Sequence, residues 1–105
     1  MADARATWDR IEEAELKIDG VGPGTGFGRS VGLTINRKIY AIQNGHELIL
    51  KLPRNQVEQM IESGTGNPWG PGKGRIMREW IEIPEARSSQ WAALTEAARA
   101  FVGSR

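Results

Sequence analysis

A chain of 105 residues with 26% charged and 39% hydrophobic side chains has the composition of one ordinary globular domain, spanning 1–105. At that size it can bury a core without metals or disulfides. Its net charge of +1 and lack of cysteine exclude bulk electrostatic recruitment of nucleic acid or an anionic membrane, and also disulfides, thiolate chemistry and Cys-ligated metal sites. The first residues carry charges and no apolar run, and no stretch approaches the ~20 apolar residues of a membrane span. The expectation is a cytoplasmic protein with no signal peptide and no membrane partner.

The elements follow in chain order. Thr7 is placed to cap a first helix reaching about residue 17, with Trp8, Ile11, Ala14 and Ile18 on one stripe and Asp9 in the first turn. Residues 20–28 hold five glycines and Pro23 and read as a loop. Residues 29–35 alternate as a strand, with Val31, Leu33 and Ile35 on one face. Residues 38–43 and 47–52 are the next two strands, separated by the hairpin signal Asn44-Gly45.

A two-residue loop at Asn44-Gly45 pairs Gln43 with His46, Ala41 with Leu48 and Ile39 with Leu50. Ile39, Ala41, Leu48, Leu50 and Leu52 then share a face. In the preceding hairpin, a two-residue turn at Asn36-Arg37 sets Val31, Leu33 and Ile35 on the opposite face. A three-residue turn, residues 36–38, pairs Ile35 with Ile39 and gathers all eight apolar side chains together. Register follows the buried face, so the three-residue turn is favoured. Tyr40, Ile42 and Ile49 are left on the second face, where a helix or a partner subunit must cover them.

Pro53 opens a second helix, Val57, Met60 and Ile61 form its stripe, and Gly64 stops it. A fourth strand is predicted over 77–83, ending at Pro84. Ser88 or Ser89 is placed to cap a third helix carrying Trp91, Leu94, Ala98, Phe101 and Val102, with Gly103 ending it. The order is α-β-β-β-α-β-α, an α+β fold.

The run Glu47-Leu48-Ile49-Leu50-Lys51-Leu52-Pro53 leads into a short helix ending at Ser63-Gly64. It is followed by Gly66-Asn67-Pro68-Trp69-Gly70-Pro71-Gly72-Lys73-Gly74-Arg75-Ile76-Met77-Arg78-Glu79-Trp80. This order resembles the TfoX N-terminal domain family, whose members carry a similar KLP, helix, Gly-x-x-Pro-aromatic, PG-x-GR and M-x-EW run. Phe27-Gly28-Arg29 and Gly32-Leu33 also look like the family's entry into its first strand. The resemblance spans about residues 27–102. It implies an antiparallel sheet of about four to five strands with flanking helices, similar to YjbR-like and secretion-chaperone-like architectures. The family's namesake regulates bacterial competence genes.

The segment 64–75 holds five glycines and two prolines in twelve residues, with Trp69 among them and Lys73 and Arg75 beside them. Exposed backbone N–H groups and two cations can meet an anion there. Equally, the glycines supply positive φ, the prolines stiffen the connection and Trp69 pins it to the core. Neither this segment nor residues 22–26 has the Walker spacing. Arg78 extends the candidate anion or partner site to Lys73, Arg75, Arg78 and Trp69, with Arg29 a further cation. Otherwise Arg78 and Glu79 are a solvated strand face, with an ion pair worth at most ~1 kcal/mol.

His46, the single histidine, reads as an exposed hairpin corner rather than a general base. Glu12, Glu13 and Glu15 read as a solvated helix face, and Trp8, Trp80 and Trp91 as packing residues. No catalytic set, metal or cofactor is assigned. The leading functional expectation is a non-enzymatic binding or regulatory module acting through protein contacts, as a homodimer or with another protein, through Tyr40, Ile42 and Ile49. The alternatives are a small-molecule or phosphate binder, including an enzyme, at the glycine-rich segment, and a nucleic-acid-associated regulator, which the charge disfavours.

Overall fold

A computed structural model describes residues 4–25, 31–70 and 77–105. The fold is α+β. Three helices, α1 (Ala4–Leu16), α2 (Arg54–Glu62) and α3 (Trp91–Gly103), pack against an antiparallel sheet. Its strands are β1 (Val21–Thr25), β2 (Val31–Ile35), β3 (Lys38–Asn44), β4 (Glu47–Lys51), β5 (Asn67–Pro68) and β6 (Trp80–Ile83), in the order β1-β2-β3-β4-β6-β5. The sequence pattern anticipated the class and the helix–strand order, but not β1 or β5.

β1 corrects the expected loop over 20–28. Val21 pairs with Ile35 and Pro23 with Leu33, and Thr34 Oγ1 donates to the Gly22 carbonyl at 3.2 Å. β1 is an edge strand, where a proline lacking its N–H is tolerated. The strand is held mainly by pairing, with Val21 packed against the core, and three of its five residues are glycine or proline and leave no apolar alternation to detect.

The favoured three-residue turn of the first hairpin is corrected to two residues, and the second hairpin turns one residue later than expected. Ile35 pairs with Lys38, so the turn is the two-residue Asn36-Arg37, and both residues have positive φ, 52° and 72°. That is the backbone a primed hairpin turn demands. Register is recovered by a bulge. Thr34 faces Ile39 and Leu33 faces Ala41, leaving Tyr40 as the extra residue of β3. In the second hairpin Asn44 pairs with Glu47, so the turn is Gly45-His46, with Gly45 at φ 64°. Pairing moves by two residues relative to the expected register, Ala41 now facing Leu50, so the paired residues 41–44 and 47–50 keep their faces.

The main core lies between the sheet and the helices. Leu33, Ile35, Tyr40, Ala41, Leu48, Leu50, Leu52, Ile81 and Ile83 meet Trp8 and Ile11 of α1, Val57 and Met60 of α2, and Trp91, Ala98 and Val102 of α3. Of the eight side chains expected together, Ile39 turns to the other face and Val31 is exposed, while the bulge swings Tyr40 inward.

α1 begins before Thr7, which therefore lies inside the helix rather than capping it. Glu85 instead accepts from the Ala4 N–H at 2.8 Å, placing a carboxylate at the positive end of the helix dipole. The buried stripe is Ala4, Trp8, Ile11 and Glu15, whereas Ala14 is exposed. Glu15 is not solvated: Tyr40 donates to its Oε1 at 2.8 Å and Arg99 to its Oε2 at 2.6 Å. Burial and the Glu15 carboxylate together push the Tyr40 hydroxyl pKa well above its ordinary value. Neither Ser88 nor Ser89 caps α3. A 3₁₀ segment, Glu85–Gln90, follows Pro84, and Gln90 precedes α3 without a side-chain cap.

Candidate functional site

The segment after β4 builds a small apolar cleft. Pro53 starts α2 from extended backbone, φ −54° and ψ 142°, which suits the residue entering a helix. At the other end Gly64 has φ +81°, with its N–H bonded to the Ile61 carbonyl (3.1 Å) and the Thr65 N–H bonded to the Met60 carbonyl (2.9 Å). These two bonds form a Schellman cap, which needs a left-handed residue at this position. Gly66 then runs against β6: a Cβ there would lie 2.8 Å from the Glu82 carbonyl oxygen and 2.7 Å from Ile81 Cδ1. A glycine at this close approach lets Asn67 and Pro68 pair with Glu82 and Ile81 as β5.

The chain returns to β6 through a turn held by three backbone bonds. The Met77 N–H reaches the Trp69 carbonyl at 2.9 Å, the Trp80 N–H reaches the Met77 carbonyl at 3.1 Å, and the Leu52 N–H reaches the Glu79 carbonyl at 2.9 Å. The fourth strand accordingly starts at Trp80, three residues later than expected, because Arg78 and Glu79 form the turn.

Between α2 and this turn lies a cleft of about 150 Å³, lined by Val57, Glu58, Ile61, Pro68, Met77, Arg78 and Trp80. Its walls are apolar and its two charged groups sit apart in role. Glu58 accepts from Arg54 Nε at 3.0 Å, one helical turn away. Arg78 is exposed, and no described carboxylate forms a salt bridge with it.

The sequence-derived site residues divide among different places. Arg78 lines the cleft, and Trp69 stacks tilted against its wall residue Trp80, with ring centroids 5.8 Å apart. Lys73, Arg75 and Arg29 lie outside the described residues. Tyr40, Ile42 and Ile49 are 0%, 1% and 1% exposed within the single chain. The expectation of a helix or a partner over all three is therefore corrected. Tyr40 faces the helices through the bulge, while Ile42 and Ile49 are packed with Trp80, Ile39, Trp69 and Met77. Two tryptophans do the work expected of a helix, and these three side chains leave no apolar surface for a partner.

Two other hollows are polar. Lys38, Ile39, Lys51, Val102 and Arg105 line one of about 360 Å³. Its cations are engaged: Lys38 Nζ donates to the Arg105 carbonyl (3.0 Å), and Arg105 and Lys51 both approach Glu79 (2.9 and 4.0 Å). The other gathers Arg5, Gln43, Gly45, His46 and Glu85. His46 is an exposed turn residue, 3.6 Å from Glu85.

On the sheet's second face, Glu82 is held up to a pKa of about 7, first by burial and then by its hydrogen bond and repulsion with Glu47, with Asn67 opposing. Among the described residues, no group of three or more His, Cys, Asp or Glu side chains converges as a metal site. No described helix is long and apolar enough to cross a membrane. No protein-family model, curated protein or solved structure matches this chain.

Of the cleft's lining, sequence reasoning named only Arg78 as a site residue and missed Val57, Glu58, Ile61, Pro68, Met77 and Trp80. Val57 and Ile61 looked like an ordinary core stripe. The available signal was the strong turn chemistry on both sides of α2, Pro53 before it and Gly64-x-Gly66 after it, which aims that stripe at the end of β6.

Proposed function

We propose that this chain is a non-enzymatic binding domain that takes one small apolar group into the cleft between α2 and the start of β6. The observation that carries this reading is the cleft itself: five apolar side chains around about 150 Å³, on a frame pinned by a Schellman cap and three backbone bonds. A preformed concave apolar surface with a few polar groups at its rim is the general form of a ligand site. An apolar cavity of roughly 150 Å³ is the size that holds one benzene ring. Binding is favoured over chemistry because Glu58, the carboxylate of the lining, is already held by Arg54.

The test is an NMR titration of the amide and indole N–H signals with benzyl alcohol, a neutral ring of the right size. Saturable shifts confined to Val57, Ile61, Met77 and Trp80, lost in Ile61→Trp, are expected. Ile61 is only partly buried, so the larger ring fills the cleft at little cost to folding, which a melting curve checks. Shifts spread over the surface, or none at high millimolar probe, would remove the reading.

Kinship with the TfoX N-terminal domain family is a second proposal. It is supported by Lys51-Leu52-Pro53 at the junction of β4 and α2, Gly66-Asn67-Pro68-Trp69 around β5 and Met77-Arg78-Glu79-Trp80 leading into β6, in that order in one chain. A family member whose sheet has a different strand order from β1-β2-β3-β4-β6-β5 would sink it.

A further inference from the structure

We infer that the group bound in the cleft belongs to a small organic acid, whose carboxylate pairs with Arg78 while its ring or branched chain enters between α2 and β6. This rests on the cleft being a binding site and adds the chemistry of what enters it.

Charge at the rim is the first argument. Glu58 and Arg54 form an i,i+4 pair at 3.0 Å, so the negative charge of the lining is already compensated. Arg78 forms no salt bridge with a described carboxylate, so the rim keeps one positive charge beside an apolar wall. A ligand that is apolar at one end and anionic at the other satisfies both surfaces. A cation meets repulsion, and a neutral polar molecule gains nothing from the apolar walls.

Geometry is the second. Arg78 sits between Met77 and Trp80, both wall residues, in a turn tied by the Trp80 N–H to Met77 carbonyl bond at 3.1 Å. The side chain therefore springs from the lip of the cleft and needs no backbone movement to reach a group at its mouth. Guanidinium is planar and matches a carboxylate through two parallel N–H donors, which a lysine at the same place could not do.

Size is the third. Space of about 150 Å³ accepts one ring and leaves a substituent at the opening, so the fitting acids are aryl or branched-chain monocarboxylates rather than nucleotides or long lipids. Phosphate alone has no apolar body to place, and the cations of the Lys38, Lys51 and Arg105 hollow, the other such cluster among the described pockets, are already engaged with the Arg105 carbonyl and Glu79.

The experiment compares benzoate with benzyl alcohol on the whole chain, in wild type and Arg78→Gln, by the same NMR titration. Benzoate is expected to bind wild type about tenfold or more tightly than benzyl alcohol, as a charge-assisted hydrogen bond allows. In Arg78→Gln that preference should vanish, with benzoate losing far more affinity than benzyl alcohol. Arg78 is exposed, so the variant should melt with wild type. If both probes bind the cleft equally, and the variant changes neither, the carboxylate inference is overturned and the cleft reading stands. If neither probe shifts the cleft residues, both fall. Benzoate shifts centred on Lys38, Lys51 and Arg105 would likewise overturn the inference, by placing the anion elsewhere.

Discussion

The two faces of the sheet are sealed by different means. On one, three helices bring Trp8, Val57, Met60, Trp91, Ala98 and Val102 onto a broad strand surface, and even a charged pair is enclosed there. On the other, Ile42 and Ile49 are covered by the rings of Trp69 and Trp80 with Met77 and Ile39. The first cover is a layer of secondary structure, redundant in its contacts. The second is a few large side chains, two of them, Trp69 and Met77, carried by connections rather than elements. The apolar cleft opens where the two covers meet, between Val57 and Ile61 of α2 and Met77 and Trp80 of the thin cover, and Lys51 Nζ lies over the Trp80 ring at 5.8 Å. A cover made of few residues closes that boundary incompletely, and the remaining gap is where we propose that a ligand enters.

That contrast can be broken hardest at Glu15. The residue is 7% exposed, and its carboxylate accepts from both Tyr40 and Arg99. Glu15→Ala leaves the Tyr40 hydroxyl without its acceptor and the Arg99 charge with only the exposed Glu96 carboxylate, 3.9 Å away. A loss of roughly 3–5 kcal/mol is expected in urea unfolding, as for a buried pair stripped of one partner. Glu15→Met combined with Arg99→Met and Tyr40→Phe should recover most of it, because no buried polar group is then left unpaired. A loss of the same size in the triple variant would mean that the polar cluster is not what the helical cover encloses.

Ile49→Ala probes the other face. The residue is 1% exposed, and truncation should cost about 2 kcal/mol, the low end for a buried large aliphatic, because Met77 and Trp69 can move into the space. Crucially, its effect on probe binding in the cleft should exceed that of Leu50→Ala, which lies under the helices. Equal effects on binding from the two truncations would show that the faces are not separable.

The smallest expected effect is a pH dependence confined to the second face. Glu82 is raised from 4.5 to about 7 by burial and by Glu47. A folded-state pKa above the unfolded one means the native state holds the extra proton between those values. The contribution is complete below about pH 4.5 and is lost as pH rises through 7. Glu82→Gln should therefore match wild type near pH 4 and exceed it by about 1 kcal/mol at pH 8, given the partial solvent access of the pair. Parallel stability–pH curves for the two proteins would remove this assignment.

Much of the cleft's frame was legible from sequence. Pro53 and Gly64 bracket α2 as expected, because each supplies a backbone geometry that few other residues can. Trp69 was read as a pin and stacks on Trp80. Arg78 was named among the candidate cations, but nothing local announced that Ile61 and Val57 would face it. That meeting depends on Gly66 passing flush against Glu82 and Ile81, a contact between segments fifteen and more residues apart.

Alternation in the central strands and the spacing of Trp91, Ala98 and Val102 on α3 were sufficient, without coordinates, to give the α+β class and the identity of most core residues. Period-two and period-3.6 patterns are properties of the backbone itself. The edge strand Val21–Thr25, the inward turn of Tyr40 and the burial of Glu15 were decided by tertiary structure. Each has the same physical cause. A glycine-rich strand, a bulged tyrosine and a buried carboxylate acquire their stability from partners distant in sequence, a neighbouring strand edge or the Arg99 guanidinium, and no local preference of their own records it.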